Sequence, residues 1–320
     1  MSQRTKITFL LIAALVIMGG DSISAADDAD AMRLYQRGIT LLAEGEPEEA
    51  LERFNTIAKR HRGSTVCAQA LWEIYRIQEH LGNDEGAFEA LNRLTTEQPG
   101  HFEKAQETQL KLVRRLIGKH HEARPTLEEK KRPPTAAQPE ILLAMLKAII
   151  KSGPRSEAGI QAQFLCGLVH DRAGQKREAV ATYEDFAEDF PQHELADDAA
   201  YQVADIPYRQ WRLMRGDSPH QREAAAVGLA WFLARFPESD KAAQARACLA
   251  EVRAAERREL VALARFYDQK GKPKAAAVYY QQLGEKFPDE VAADEALAAR
   301  VRAALSTQDS ATEVGPNRPK

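Results

Sequence analysis

Positive charge, aromatic side chains and paired cysteines are all scarce in this chain, and each scarcity removes a class of function. Lysine and arginine number 44 against 47 aspartate and glutamate in 320 residues, a formal net charge of −3. Sequence-independent nucleic-acid binding needs a basic surplus against phosphate, so no nucleic-acid partner is expected. Aromatics make up only 7%. Alanine and leucine dominate and β-branched residues are sparse beyond the N-terminus, a composition that suits one or two soluble helical domains. The three cysteines, Cys67, Cys166 and Cys248, lie far apart, with neither a CxxC pair nor a zinc spacing. Cys166 and Cys248 fall where helical spacing wants small apolar residues, so buried free thiols are expected. One disulfide stays open as the alternative in an oxidising compartment.

Catalytic motifs are missing as well. The eight histidines are scattered. His120 and His121 are adjacent and would not share a helix face, and His193 precedes Glu194 with no HExxH around it. The glycines are isolated turn residues, so nothing cradles a phosphate. The run "EEKKR" balances its own charge. The expectation is a protein that is not an enzyme, with no metal and no cofactor.

The first residues read as a targeting segment. Arg4 and Lys6 precede an apolar run from Ile7 to Met18, and Ser24 and Ala26 have the spacing of a signal-peptidase site. The run is short for a membrane-spanning helix. Cleavage after Ala26 and an exported, periplasmic location are expected. No cysteine follows the run to carry a lipid, so the chain is expected to be peripheral to the outer membrane at most.

What the chain does have is a repeat. Gly45, Gly82, Gly174 and Gly271 open the same phrase. Five residues later come Ala50, Ala87, Ala179 and Ala276, and nine later Phe54, Leu91, Tyr183 and Tyr280. Seventeen later come Arg62, Pro99, Pro191 and Pro288. Glycine ends a first helix because it takes positive φ without a Cβ clash. Alanine lets a second helix approach the first closely. The large residue one turn on shares that face and fills the space between. Proline stops the second helix and suits the first turn of the next. This is the tetratricopeptide pattern, and the fold class expected is an all-α tetratricopeptide-repeat solenoid, a right-handed superhelix of about five to six helix pairs. The units near Ile141–Pro154 and Asp217–Pro237 are degenerate, the latter having lost its glycine turn.

Boundaries follow. Residues 1–26 are the expected signal peptide and 27–118 the N-terminal repeat pairs. A proline-rich charged loop at 119–138 contains Pro125, Pro133 and Pro134. Residues 139–305 hold the C-terminal pairs, closed by a capping helix over 291–305, and 306–320 form a disordered tail.

With no catalyst in view, a binding surface is left. The first helix of each pair lines the groove of such an array. By the repeat register that face carries Tyr35 and Ile39, then Gln69, Trp72, Arg76 and His80, then Phe164, Leu168 and Arg172. Tyr, Trp and Arg are common binding hot spots. The expected partner-binding groove is therefore Tyr35, Gln69, Trp72, Arg76, His80, Phe164 and Arg172, suited to a protein or extended-peptide partner. The alternative for Trp72 and Phe164 is that they only cover the edge of the core.

The stretch "ELVALARFYDQKGKPKAAAVYYQQLGEKFP" follows a long helix from "SDKAAQARACLAEVRAAERR". Together they resemble the C-terminal half of the BamD family, tetratricopeptide lipoproteins of the outer-membrane β-barrel assembly machinery. "LYQRGITLLAEGEPEEALERFNTIAKRH" is similar to that family's first repeat. This chain departs from the family in lacking the lipid-bearing cysteine. The resemblance implies a non-enzymatic periplasmic scaffold whose partners are β-barrel assembly subunits or unfolded outer-membrane proteins. The alternative is a periplasmic repeat protein that coordinates cell-envelope constriction with peptidoglycan synthesis.

Overall fold

The computed structural model describes residues 25–122, 139–214 and 218–312. The expected signal peptide, save its last two residues, lies outside the described residues, as do 123–138 of the expected loop and the last eight positions of the expected tail. Among the described residues the regular structure is fourteen α-helices and one 3-10 turn, with no strand. The fold is an all-α tetratricopeptide solenoid of helix pairs. It divides into two compact units, one ending at Ala173 and the other beginning at Gly174.

The first unit holds α1 (Ala25–Glu44), α2 (Pro47–Arg60), α3 (Cys67–His80), α4 (Asp84–Glu97), α5 (Phe102–Glu122), α6 (Pro139–Ser152) and α7 (Glu157–Arg172). The second holds α8 (Lys176–Asp189), α9 (Ala196–Leu213), α10 (Pro219–Arg235), α11 (Ala242–Gln269), α12 (Pro273–Lys286), the short α13 (Pro288–Ala292) and α14 (Glu295–Thr312).

The four glycines of the repeat are the ones that adopt positive φ, at 83°, 72°, 80° and 64° for Gly45, Gly82, Gly174 and Gly271. At three of them the helix end closes the same way. The amide of the residue just after the glycine reaches back five residues, as in Glu46 N to Leu41 O at 2.9 Å, Asn83 N to Gln78 O at 2.9 Å and Lys272 N to Tyr267 O at 2.9 Å. Such a closure satisfies carbonyls that a helix end would otherwise strand. The four alanines are all buried, and so are Phe54, Leu91, Tyr183 and Tyr280. Small and large residues therefore alternate across each pair as the phrase requires. Gly38 of α1 shows how close the approach is: a Cβ there would lie 2.7 Å from the Phe54 ring.

The turns that lead from one pair to the next also repeat. Ser64 N bonds His61 O and Cys67 N bonds Ser64 O; Phe190, His193 and Ala196 do the same, and so do Phe236, Ser239 and Ala242. Arg62, the one member of its series that is not proline, therefore sits in the same turn as Pro191 and Pro237. Backbone hydrogen bonds, more than the proline ring, shape the connection.

Three boundaries differ from the sequence reading. Helix α5 runs to Glu122, into the expected loop. The capping helix is two helices: α13 starts on Pro288, and α14 starts where the Asp294 carboxylate accepts the amide of Leu297 at 3.0 Å, as an N-cap does. That last helix continues past Leu305 to Thr312. Pro207 lies inside α9, where it removes the hydrogen bond to the Val203 carbonyl. The degenerate unit beginning near Asp217 makes up for its lost glycine turn with Ser218, whose hydroxyl caps α10, followed by Pro219 in the first turn.

All three cysteines are buried free thiols. Burial pushes the Cys166 thiol up to about 11, despite Lys147 nearby.

Candidate functional site

In the first unit, polar side chains link α3 to α5 and α5 to α7, and Tyr35 of α1 feels the charges of α3. Burial and the neighbouring Glu73 carboxylate of α3 raise the Tyr35 phenol of α1, with Arg76 opposing. Arg115 of α5 bonds Glu79 of α3 and, at 3.1 Å, Asp84 at the start of α4. Arg114 of α5 reaches Gln161 of α7 at 2.7 Å. These links run between first helices of successive pairs, so those helices present one shared face.

Gln69, Trp72, Arg76 and His80 fall at i, i+3, i+7 and i+11 along α3 and so share one stripe. Gln69, Arg76 and His80 are exposed, and Trp72 is half-buried. Trp72 does two things. Its ring packs against the core, while its indole N–H donates to His101 Nδ1 at 3.2 Å and its face lies 5.0 Å from the Lys104 ammonium. Trp72 thus covers the core edge and keeps a polar, cation-capped side. Tyr35 is half-buried, its ring 5.5 Å from Phe54, and Ile39 stays exposed one turn on.

Tyr35 lies within electrostatic reach of Arg76, which shares its α3 stripe with Trp72 and Gln69. Phe164 and Arg172 stand on α7, four helices along from α3. Phe164 is half-buried, and Arg172 donates to the Ile117 carbonyl of α5 at 3.0 Å.

Several residues of this face escaped the sequence reading. Glu73 bonds Arg76 at 2.7 Å. Glu79 sits at the centre of a network: burial pushes its carboxyl up, but hydrogen bonds from Arg115 and Tyr75 outweigh that and hold it below the usual carboxylate range. Burial and the bond to Glu79 raise the Tyr75 phenol to about 12. His101 and Lys104 follow Pro99, so the proline that marks each new repeat was the available signal for them. Their partners lie 29 or more residues away, which no short spacing reveals. Chemically the face offers aromatic walls, fixed carboxylates and exposed cations, able to hold backbone amides and mixed side chains but not to activate a bond.

In the second unit, Tyr267 stacks on Tyr279 with planes 6° apart and centroids 5.5 Å apart. Tyr280 is buried, and its hydroxyl donates to Asp268 at 2.8 Å, which also accepts from Arg300 at 3.2 Å. Phe266 and Val278 remain exposed beside this pair. Among the described residues no group of three or more His, Cys, Asp or Glu side chains could hold a metal ion, and no helix is long and apolar enough to cross a membrane.

No curated protein sequence matches the chain. Solved structures that resemble it are distant. A thermophilic TPR protein of Thermus thermophilus is 19% identical, over 69% of this chain and 98% of its own, at a TM-score of 0.33. A tetratricopeptide repeat protein from Parabacteroides merdae is 13% identical, over 87% and 99%, at 0.30. PilW, a type IV pilus biogenesis factor, is 14% identical, over 86% and 98%, at 0.30. Likenesses this remote add nothing to the functional reading. The model of the YfiO family, described as outer membrane lipoprotein, matches residues 143–314, more than half of the chain. The chain therefore belongs to the YfiO family and, with its tetratricopeptide fold, is a non-enzymatic scaffold that binds protein partners.

Proposed function

We propose that the protein is an exported scaffold of outer-membrane protein assembly, and that the face built by α1, α3 and α5 holds extended segments of unfolded outer-membrane proteins. The observation that carries this reading is the family match over 143–314. The Tyr35, Trp72 and Arg76 face supports it, because aromatic walls beside fixed charges suit a mixed, unfolded chain better than a small ligand. In this reading residues 1–26 are an export signal, and a start at Asp27 keeps two anchors of the first helix. One is Asp27 to His61 at 2.6 Å, and the other is Asp28 to the Thr65 amide at 2.8 Å. The pairs around Tyr267 and Tyr280 supply rigidity and a second docking surface, facing a barrel-assembly subunit.

The test is titration with a urea-unfolded outer-membrane barrel protein diluted into buffer, read by fluorescence anisotropy. Arg76→Glu with Lys104→Glu changes two exposed cations of the face and should weaken binding by roughly tenfold, with the melting temperature little altered. Unchanged affinity in the double variant would remove the face from the reading. Affinity capture from envelope extracts separates the two partner classes: recovery of peptidoglycan-synthesis factors in place of barrel-assembly subunits would favour a role in envelope constriction.

A further inference from the structure

A second surface, in the other unit, has a different chemistry. A groove of about 380 Å³ lies between α10, α11 and the end of α12. Leu233, Leu249 and Phe287 give it an apolar floor, and Arg246, Arg253 and Arg257 edge it. The arginines fall at i, i+7 and i+11 on α11, so they share one face of the helix. Glu290 is the one carboxylate among the lining residues.

One lining acid against three arginines offsets the charge of this groove only in part. The acids of α11 are committed elsewhere: Glu251 to Tyr208 at 2.6 Å, Glu256 to Lys286 at 2.6 Å, and Glu259 to Arg222. Arg246 donates to the Pro237 carbonyl at 3.2 Å. Among the described residues no carboxylate lies within ion-pair distance of Arg246, Arg253 or Arg257. Three guanidinium groups in a row over an apolar floor, none of them ion-paired and with Glu290 the single acid of the lining, call for a ligand that brings both carboxylates and apolar side chains.

We propose that this groove binds an acidic peptide segment of a partner protein, with apolar residues between its carboxylates. The helix rise of about 1.5 Å per residue sets the arginines about 10 and about 6 Å apart along α11. An extended chain advances about 3.3 Å per residue and turns alternate side chains to opposite faces, so carboxylates two residues apart share a face and match the step from Arg253 to Arg257. Guanidinium and carboxylate pair in two parallel hydrogen bonds, which fixes the orientation. A free phosphate would leave the apolar floor uncovered. A membrane surface would not follow a recessed groove. The site is separate from the Tyr35–Trp72 face and stands or falls without it.

The probe is a fluorescein-labelled peptide of about six residues, with aspartates at its second, fourth and sixth positions, all on one face, and leucines between, titrated by anisotropy at low ionic strength. The full chain should bind it, and Arg253→Glu with Arg257→Glu should weaken binding by roughly tenfold or more. The matching lysine peptide should prefer that double variant to the wild type. Arg177→Glu, an exposed arginine of α8, should change nothing. The same peptide should bind the Arg76→Glu, Lys104→Glu variant normally, which separates failure here from failure of the first face. Equal binding by wild type and the Arg253, Arg257 variant would overturn the proposal. So would binding to phosphatidylglycerol vesicles with none to the peptide.

Discussion

The two units solve the same packing problem differently. In the first, the buried residues from Ala31 to Val169 form one cluster that runs through all seven helices. In the second, most of them fall into two separate clusters, one over α9, α10 and the start of α11, the other over the end of α11 and α12 to α14. The break falls between Val252 and Leu260, where α11 reads "RAAERRE" and buries no side chain. Among the described residues, seven of the ten exposed large hydrophobics also belong to the second unit, Leu213, Val227, Trp231 and Phe266 included. A continuous core spends its apolar side chains internally, and a divided one leaves some at the surface. The unit with more exposed large apolar side chains is also the one that holds most of the family match.

The largest expected effect tests that continuity. Phe54 is fully buried against Gly38 and Tyr35. Phe54→Ala should cost about 3–5 kcal/mol, and hydrogen exchange should rise across α1 to α7 together. Loss of protection confined to α1 and α2 would show that the first unit is as divided as the second. Ala276→Trp should cost roughly 1–3 kcal/mol by forcing α12 off α11. Here exchange should rise in α12 and α14 while the α9–α10 pair keeps its protection. Equal loss in α9 and α10 would mean that the 28-residue α11 couples the two clusters despite the gap in its core face.

Electrostatics sharpens the comparison further. Arg93 of α4 bonds Glu97 at 2.7 Å and the Ala58 carbonyl of α2 at 2.6 Å, with both side chains mostly buried. The hydrogen bond from Arg93 holds the Glu97 carboxyl below its ordinary range, against the opposing effect of burial. Because its folded pKa is lowered, the stabilisation is present above the unfolded carboxylate value of about 4.3. It is lost as pH falls through the folded one. Glu97→Gln should therefore cost about 1.5 kcal/mol at neutral pH, and the gap from wild type should close in acid. A gap independent of pH would assign the loss to packing instead.

The smallest effect should be a gain. Gln109 of α5 is fully buried, and neither its amide nitrogen nor its oxygen has a hydrogen-bond partner among the described residues. Its neighbour Gln106, by contrast, bonds the Ile149 carbonyl, Ser152 and Ser156. Gln109→Leu should raise stability by about 1 kcal/mol in denaturant melts, whereas Gln106→Leu should lower it. A loss in both would show that Gln109 holds a polar partner.

Local chemistry alone dictated much of this molecule. Gly45, Gly82, Gly174 and Gly271 had to take positive φ because their phrase needs a tight turn that a Cβ resists. Ala50, Ala87, Ala179 and Ala276 had to be buried because only a small side chain lets two helices approach. Those requirements act over fewer than two turns of chain, so they are legible in sequence, and the tetratricopeptide fold with them. The stripe of Gln69, Trp72, Arg76 and His80 was legible for the same reason, being set by helix periodicity. The pairing of Trp72 with His101, of Arg115 with Glu79, and of the acids of α11 with Tyr208 and Lys286 depended on side chains 29 to 43 residues apart. Only the packing of one helix pair on the next decides which charges are neutralised and which, like Arg253 and Arg257, are left for a partner.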